Sequence, residues 1–222
     1  MKKYTRLALL VSPLILIACG KKEAEVAPAP VVVAAPAAAP AAPAPAAEPA
    51  ELSDAQREQQ RKQALLDFAT REDKYMNDPR AQYGETVKVS STFGDPSPST
   101  SSMGKNAIGA VDGKDWTNNH QDIGFDWIEF GYARPVQATE VRLVINDGAQ
   151  ALTKVELQDT DGKWNVIWSG LSDLKDEKNG PRTWFVKTFD KTPYKVKAVK
   201  YTIANNVEKG YKTVDAAQLV GD

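Results

Sequence analysis

The residues whose chemistry best suits ligand binding form one short stretch, Trp116-Thr117-Asn118-Asn119-His120. An aromatic ring can stack on the C–H face of a sugar ring, while amides and an imidazole can hydrogen bond to its hydroxyls. Arg182 and Trp184, which follow the segment 171–180, and Tyr211 in the last predicted loop have similar chemistry. We therefore predict a ligand site made of Trp116, Asn118, Asn119, His120, Arg182, Trp184 and Tyr211.

Two of these residues have an alternative interpretation that involves no ligand. Trp116 could pack in the core beneath its loop, because it closely follows an Asp-Gly turn. His120, the one histidine of the chain, is more often a hydrogen-bonding residue of a loop than a catalyst. Both interpretations stay open at the level of the sequence.

The composition argues against several classes of protein. The chain has 222 residues with Lys+Arg 28 and Asp+Glu 29, so it lacks the basic surplus of a nucleic-acid binder. One cysteine and one histidine cannot form an internal disulfide or a zinc site of Cys/His type. No phosphate-binding loop or nucleophile motif is present, and the charged residues of the segment 173–179 alternate in sign as in a solvated loop. We predict that the protein is not an enzyme.

The N-terminus has the pattern of an exported and lipidated protein. Basic residues at the start and an apolar run that ends at Ala18 are typical of a signal peptide over 1–18, since the run is too short to span a bilayer. The run ends in Leu16-Ile17-Ala18-Cys19, which resembles the bacterial lipobox. We predict lipidation of Cys19 and, because Gly20 follows it, anchoring in a bacterial outer membrane. The alternative is an ordinary signal peptide with an accidental cysteine.

Two segments separate this anchor from the strand-rich part of the chain. Residues 19–51 are rich in Pro and Ala, which predicts a disordered, partly extended linker. Residues 52–78 predict a helical stalk that Ser53 and Gln56 cap and Pro79 limits, with its last turns packed on the next domain. A coiled-coil oligomerisation helix is the alternative, although sustained heptads are missing.

From residue 83 to 222 the pattern is that of strands. Val141, Leu143 and Ile145 alternate with polar residues, and the pair Asp161-Gly162 between two such runs predicts a hairpin. Trp127, Trp164 and Trp168 are expected in the core. The predicted strands are 86–93, 127–130, 137–146, 153–158, 163–168, 182–189, 196–204 and 214–220. They indicate an all-β domain, an eight-stranded antiparallel jelly-roll sandwich.

An ordered series of short motifs gives this domain a resemblance to a known family. The series begins with Val89-Ser90-Ser91-Thr92 and continues with Asn106-Ala107-Ile108, Val111-Asp112-Gly113, Trp127-Ile128-Glu129-Phe130, Pro135-Val136 with Glu140–Leu143, Lys197–Tyr201 and the final run Val214–Gly221. Over Thr86–Asp222 the chain resembles the discoidin, or coagulation-factor type C, domain of the galactose-binding-like superfamily. The resemblance implies a jelly roll that binds glycans, phospholipid heads or proteins through loops at one end.

The same resemblance implies a structural calcium ion beneath those loops. Asp112, Asp115 and Thr117 lie in the matching loop, and Gln218 lies where the family commonly has a glutamate. Hard oxygen ligands of this kind suit calcium, although the amide of Gln218 is at best a neutral ligand. The alternative is that Asp112-Gly113 simply makes a turn.

Together these patterns predict a membrane-anchored, noncatalytic binding lipoprotein whose first expected ligand is a glycan. The alternative is a structural or interaction lipoprotein that docks a protein partner in the cell envelope.

Overall fold

A computed structural model of the protein describes residues 52–222. The predicted signal peptide (1–18), the predicted lipidation site Cys19 and the predicted linker (19–51) lie outside the described residues. Within residues 52–222 no helix combines the length and the apolar character needed to cross a bilayer.

The first element is the helix α1 (Asp54–Met76), and its start matches the sequence prediction. The Ser53 hydroxyl accepts a hydrogen bond from the Gln56 backbone N–H (3.3 Å), and Gln56 Oε1 accepts one from the Ser53 backbone N–H (2.8 Å). This reciprocal capping box satisfies two backbone donors that have no partner inside the helix. The predicted capping box is therefore confirmed.

Ten strands follow, and eight of them lie where the alternation of apolar residues predicts strands. The two additional strands contain three and two residues and pair with β10, so their formation depends on a distant partner rather than on a local pattern. The count of eight is thus corrected to ten. The strands are β1 (Ala81–Tyr83), β2 (Thr86–Val89), β3 (Trp116–Thr117), β4 (Phe125–Val136), β5 (Ala138–Asp147), β6 (Leu152–Asp159), β7 (Trp164–Ser169), β8 (Thr183–Thr188), β9 (Val196–Ala204) and β10 (Thr213–Gly221).

The strands form two antiparallel sheets of five strands each. The first sheet has the order β1-β10-β5-β8 with β3 also paired to β10, and the second has the order β2-β4-β9-β6-β7. Gly162 has a φ of 92° in the turn between β6 and β7, a conformation that favours glycine. The predicted hairpin is therefore confirmed, and the protein is an all-β antiparallel sandwich preceded by a helix.

The apolar side chains that alternate along the central strands fill the space between the sheets. Leu143 of β5 and Tyr201 of β9 are both inaccessible to solvent in this core. Trp127 and Trp164 were expected there but are only partly buried. In β4, Ile128 and Phe130 take the inner face, so Trp127 lies on the outer face. The Lys200 ammonium lies 5.3 and 4.1 Å from the centres of these two rings, so both pack against a cation instead.

The second half of α1 packs against the outer face of the first sheet. The rings of Tyr75 and Trp184 are 5.1 Å apart, and Trp184 Nε1 donates a hydrogen bond to Glu72 (3.2 Å). The buried Arg142 guanidinium donates to the Tyr75 carbonyl (3.2 Å) and to Asp78 Oδ2 (2.7 Å). These contacts make the last turns of the helix part of the domain, in agreement with the sequence prediction.

The ion pair between Asp78 and Arg142 predicts that the stability of the domain depends on pH. Burial of Asp78 favours its neutral form, but hydrogen bonds from Arg142 and Arg80 outweigh this and lower its pKa to about 2. We expect Asp78→Asn to reduce the free energy of unfolding at neutral pH by roughly 1.5–3 kcal/mol, the usual value of a hydrogen bond to a charged group. Because the folded-state pKa lies below the ordinary value, this contribution is complete above the ordinary value and lost as the pH falls through the folded-state value.

Urea denaturation of the wild type and Asp78→Asn at a series of pH values measures this effect. The control is Asp161→Asn, which changes an exposed aspartate in the turn between β6 and β7. A stability difference between wild type and Asp78→Asn that persists at the acidic end of the series would contradict the assignment.

Candidate functional site

The loops at one end of the sandwich contain most of the predicted site residues. In the first sheet β10 begins at Thr213, which pairs with Asp147 at the end of β5. In the second sheet β4 begins at Phe125, which pairs with Ala204 at the end of β9. The segments 148–151, 170–182 and 205–212, together with residues 90–95 and 116–124 of the connection between β2 and β4, therefore lie at the same end, which we call the loop end.

A buried carboxylate, that of Asp126, holds the loop end together. Its two oxygens accept hydrogen bonds from Ser90 Oγ (2.6 Å), Ser91 Oγ (2.7 Å), Asn205 Nδ2 (2.9 Å) and Asn118 Nδ2 (3.2 Å). Only 1% of Asp126 is exposed, and burial by itself would raise its pKa. The four donors outweigh burial and lower the pKa of Asp126, so the charged form is the one that the loops are built around.

Asn118, a predicted ligand contact, is a central part of this network. It is completely buried, and its Nδ2 also lies within hydrogen-bond distance of the His120 carbonyl (2.6 Å) and Asn205 Oδ1 (3.0 Å). Its Oδ1 accepts a hydrogen bond from the Lys212 backbone N–H (2.8 Å). Asn118 thus uses its amide to join loops and presents no polar atom to a ligand.

The ring of Trp116 lies in the core, as the alternative interpretation of this residue had it. The side chain is completely buried, and Trp116 Nε1 donates to the Ser91 carbonyl at 2.8 Å. In the ladder with β10 its partner is Val214, another core residue. The ring therefore has no exposed face on which a sugar could stack.

Arg182 and Trp184 lie beneath α1 rather than at the surface of the loop end. Trp184 is 7% exposed and packs against the helix. The Arg182 guanidinium is 3.1 Å from Glu72 Oε1 and donates to Asp215 Oδ2 at 3.3 Å. Both side chains attach the helix to the sheet and are separated from the other predicted ligand contacts.

Three predicted residues, Asn119, His120 and Tyr211, do lie at the accessible surface of the loop end, and Phe93 joins them. The Tyr211 and Phe93 rings meet edge to face with their centres 4.9 Å apart. Asn119 Oδ1 accepts a hydrogen bond from the Gly94 backbone N–H (3.1 Å). Half of the His120 side chain is exposed, and its Nδ1 is 3.6 Å from Asp126 Oδ2. We call Phe93, Asn119, His120 and Tyr211 the aromatic platform.

Sequence reasoning missed Phe93 because it assigned the residue to a strand over 86–93. The strand ends at Val89, and Phe93 lies in the loop that follows. Its backbone N–H donates a hydrogen bond to the carbonyl of Thr117 in β3 (2.9 Å). The signal that could have found it is the sequence after it, Gly94-Asp95-Pro96, which is typical of a turn.

The four predicted calcium ligands do not form one set. Asp112 is exposed, and a hydrogen bond from the Lys114 ammonium (2.6 Å) lowers its pKa. Gln218 is completely buried in β10, where its Oε1 accepts from Arg142 (3.0 Å) and its Nε2 donates to the Tyr75 carbonyl (3.0 Å). Both polar atoms of this amide are therefore used beneath the helix.

The remaining two predicted ligands contact each other. Thr117 Oγ1 donates to Asp115 Oδ1 (3.3 Å), and Asn146 Nδ2 donates to Asp115 Oδ2 (3.2 Å), while burial raises the pKa of Asp115. Across residues 52–222, no group of three or more His, Cys, Asp or Glu side chains is placed to hold a metal ion. As arranged here, Asp112, Asp115, Thr117 and Gln218 do not fit a calcium ion.

The Asp112-Gly113 pair makes a turn, which was the alternative to a metal-binding role. Gly113 has a φ of 83°, and the backbone N–H groups of Asp112 and Gly113 donate to the Asp215 carboxylate at 3.2 and 3.0 Å. A buried carboxylate of β10 therefore holds this turn in place.

No protein-family model and no curated protein matches the sequence. Similar solved structures include chitosan-binding module 1 of a chitosanase/glucanase from Paenibacillus sp. IK-5, with 12% identity, a TM-score of 0.47, and coverage of 62% of this chain and 96% of that chain. The family 32 CBM of C. perfringens NanJ in complex with galactose has 14% identity, a TM-score of 0.45, and coverage of 63% and 98%.

A third similar structure is an F5/8 type C domain from Bacteroides fragilis, with 14% identity, a TM-score of 0.49, and coverage of 65% and 99%. The ladders between its own strands establish the antiparallel sandwich, which is the architecture that the resemblance to discoidin domains implies.

The network around Asp126 predicts a large effect of a small change. In Asp126→Asn an amide N–H₂ group replaces one carboxylate oxygen, so the donors that bind this oxygen lose their acceptor. We expect the free energy of unfolding to fall by about 1–3 kcal/mol for each donor left without a partner. Urea denaturation measures the loss, with Asp173→Asn, a change at an exposed position of the segment 170–182, as the matched control. Equal free energies of unfolding of the two variants would show that the network around Asp126 does not stabilise the fold.

Proposed function

We propose that this protein is a lipid-anchored, noncatalytic binding protein of a bacterial outer membrane that recognises a glycan through its loop end. The observation that carries the proposal is the aromatic platform, where the Phe93–Tyr211 ring pair lies in the same group of loops as Asn119 and His120. Lipid anchoring at Cys19 and the outer-membrane location rest on the sequence pattern described above.

The chemistry of the platform suits a sugar. The exposed parts of Phe93 and Tyr211 offer apolar surface to the C–H face of a pyranose, and the Asn119 amide and His120 imidazole can hydrogen bond to hydroxyls. Asn119 and His120 follow Asn118 directly, and Asn118 is fixed by the Asp126 network. Such fixed groups favour affinity, because little conformational entropy is lost on binding.

The arrangement around His120 supports binding rather than hydrolysis. In a catalytic triad the serine hydroxyl donates its hydrogen bond to the histidine, which the carboxylate orients from the other side. Here both nearby serines, Ser90 and Ser91, donate to the Asp126 carboxylate instead. His120 therefore has no serine nucleophile from this pair to activate.

A second candidate function is docking of a protein partner in the cell envelope. The observation in its favour is the exposure of adjacent apolar residues on α1, since Leu65 is 41% and Leu66 is 59% accessible to solvent. Exposed apolar residues that lie together on a helix can form part of a protein-interaction surface.

The glycan proposal predicts that Tyr211→Ala weakens sugar binding. Burial of an aromatic side chain contributes about 1.5–3 kcal/mol, so the dissociation constant should rise roughly tenfold to hundredfold. Isothermal titration of the mature chain in detergent against mono- and oligosaccharides, including peptidoglycan fragments, measures this. Trp164→Ala is the matched control, because it removes a half-exposed ring from β7 on the outer face of the second sheet.

Binding that Trp164→Ala abolishes and Tyr211→Ala leaves intact would place the sugar on the sheet and overturn the platform assignment. If no sugar binds the wild type, the protein-docking candidate gains weight. A pull-down from envelope extracts with wild type and Leu66→Lys would then test it.

A further inference from the structure

The loop end contains a second buried charge, the ammonium of Lys212. Only 1% of Lys212 is exposed. Its Nζ donates to the carbonyl oxygens of Gln121 (2.5 Å), Asn205 (2.7 Å) and Gly210 (2.6 Å), and it also contacts the carbonyl oxygen of Glu208. These carbonyls come from two segments, 118–124 and 205–212, so one ammonium joins both.

Four backbone carbonyls that converge on one point form a site for a cation. An ammonium has three N–H donors, which is one fewer than the acceptors here, so part of the attraction must come from its charge. Proteins bind hard metal ions with the same atoms, because carbonyl oxygens direct the negative end of their dipoles at the ion. The Lys212 ammonium therefore lies where a bound cation would lie among these four carbonyls.

The surroundings of the Lys212 stem are shaped for it. A Cβ atom placed on Gly148 would lie 2.5 Å from Lys212 Cγ, so only glycine leaves room for the stem at this point. Gly148 also has a φ of 88°, which favours glycine independently. Burial lowers the pKa of Lys212, while the carboxylates of Asp122, Glu208 and Asp126 act in the opposite direction and favour the charged form.

We infer that the Lys212 ammonium is an internal cation that organises the loop end in place of a bound metal ion, so that the ligand-binding loops take their shape without calcium. The predicted calcium ligands are already engaged elsewhere, Gln218 beneath α1 and Asp112 with Lys114, which agrees with this assignment. Lys212 is thus a positioning residue for the segments before and after it. Its effect on glycan binding rests on the proposed function, whereas its effect on the loops does not.

Replacement of Lys212 tests the internal cation directly. Lys212→Ala removes the ammonium and leaves the four carbonyls without their cation, so we expect the Tm of the mature chain to fall by roughly 10 °C. The matched control is Lys209→Ala, an exposed lysine of the same segment, which should change the Tm by no more than about 2 °C. Equal melting of the two variants would overturn the inference.

Chemical rescue separates loss of the cation from loss of packing. n-Propylammonium has the three carbons and the ammonium that Lys212→Ala lacks, so it should raise the Tm of this variant and leave that of Lys209→Ala unchanged. Two compounds at equal concentration serve as controls. Tetramethylammonium has the charge without N–H donors, and n-propanol has the stem without the charge. If n-propanol rescues as well as n-propylammonium, the site needs only its volume filled and the inference is wrong.

Two measurements on the wild type keep the test decisive if Lys212→Ala does not fold. We expect a Lys212 ammonium signal that exchanges slowly with water in ¹H–¹⁵N spectra, and the same Tm with calcium as with EDTA. A rapidly exchanging ammonium, or a Tm that rises with calcium, would overturn the inference. Loss of glycan binding in Lys212→Met together with full binding in Tyr211→Ala would instead count against the aromatic platform and leave the internal cation intact.

Discussion

Two buried charges of opposite sign determine the structure of the loop end. The Asp126 carboxylate takes four side-chain donors, and the Lys212 ammonium takes four backbone carbonyls. Asn118 contacts both residues, because its Nδ2 donates to Asp126 and its Oδ1 accepts from the Lys212 backbone. Loops that leave water lose hydrogen bonds to solvent, and an unpaired buried polar group is costly. The two charges satisfy these groups and thereby fix segments that a β-sandwich alone would leave variable.

This arrangement explains why the residues that hold the loops in place and the residues that are accessible to a ligand are separate sets. Trp116 and Asn118 have the chemistry of a binding site but are buried, where they hold the loops. Asn119 follows Asn118 and is itself followed by His120, and Tyr211 precedes Lys212; all three remain accessible. The buried residues thus hold the backbone on which the accessible side chains of the aromatic platform stand.

On the outer face of the first sheet, polar residues that would be expected to face water are buried instead. Arg142 and Gln218 point outward from their strands and would face water in an isolated sandwich, yet both are buried beneath α1. Their hydrogen bonds to the Tyr75 carbonyl satisfy a backbone acceptor in the last turn of the helix, where such acceptors have no partner within the helix. The helix therefore belongs to the domain, and Gln218 serves this contact.

The sequence by itself determined the features that depend on near neighbours in the chain. Alternation of apolar residues marked eight strands, Asp161-Gly162 marked a hairpin, and Ser53 with Gln56 marked the start of α1, because each depends on contacts a few residues apart. Only the tertiary structure decided that Trp116 is core and that Lys212 is a buried cation. The partners of those side chains come from segments up to about ninety residues away, such as Gln121 for Lys212, and no local pattern specifies which distant groups will meet.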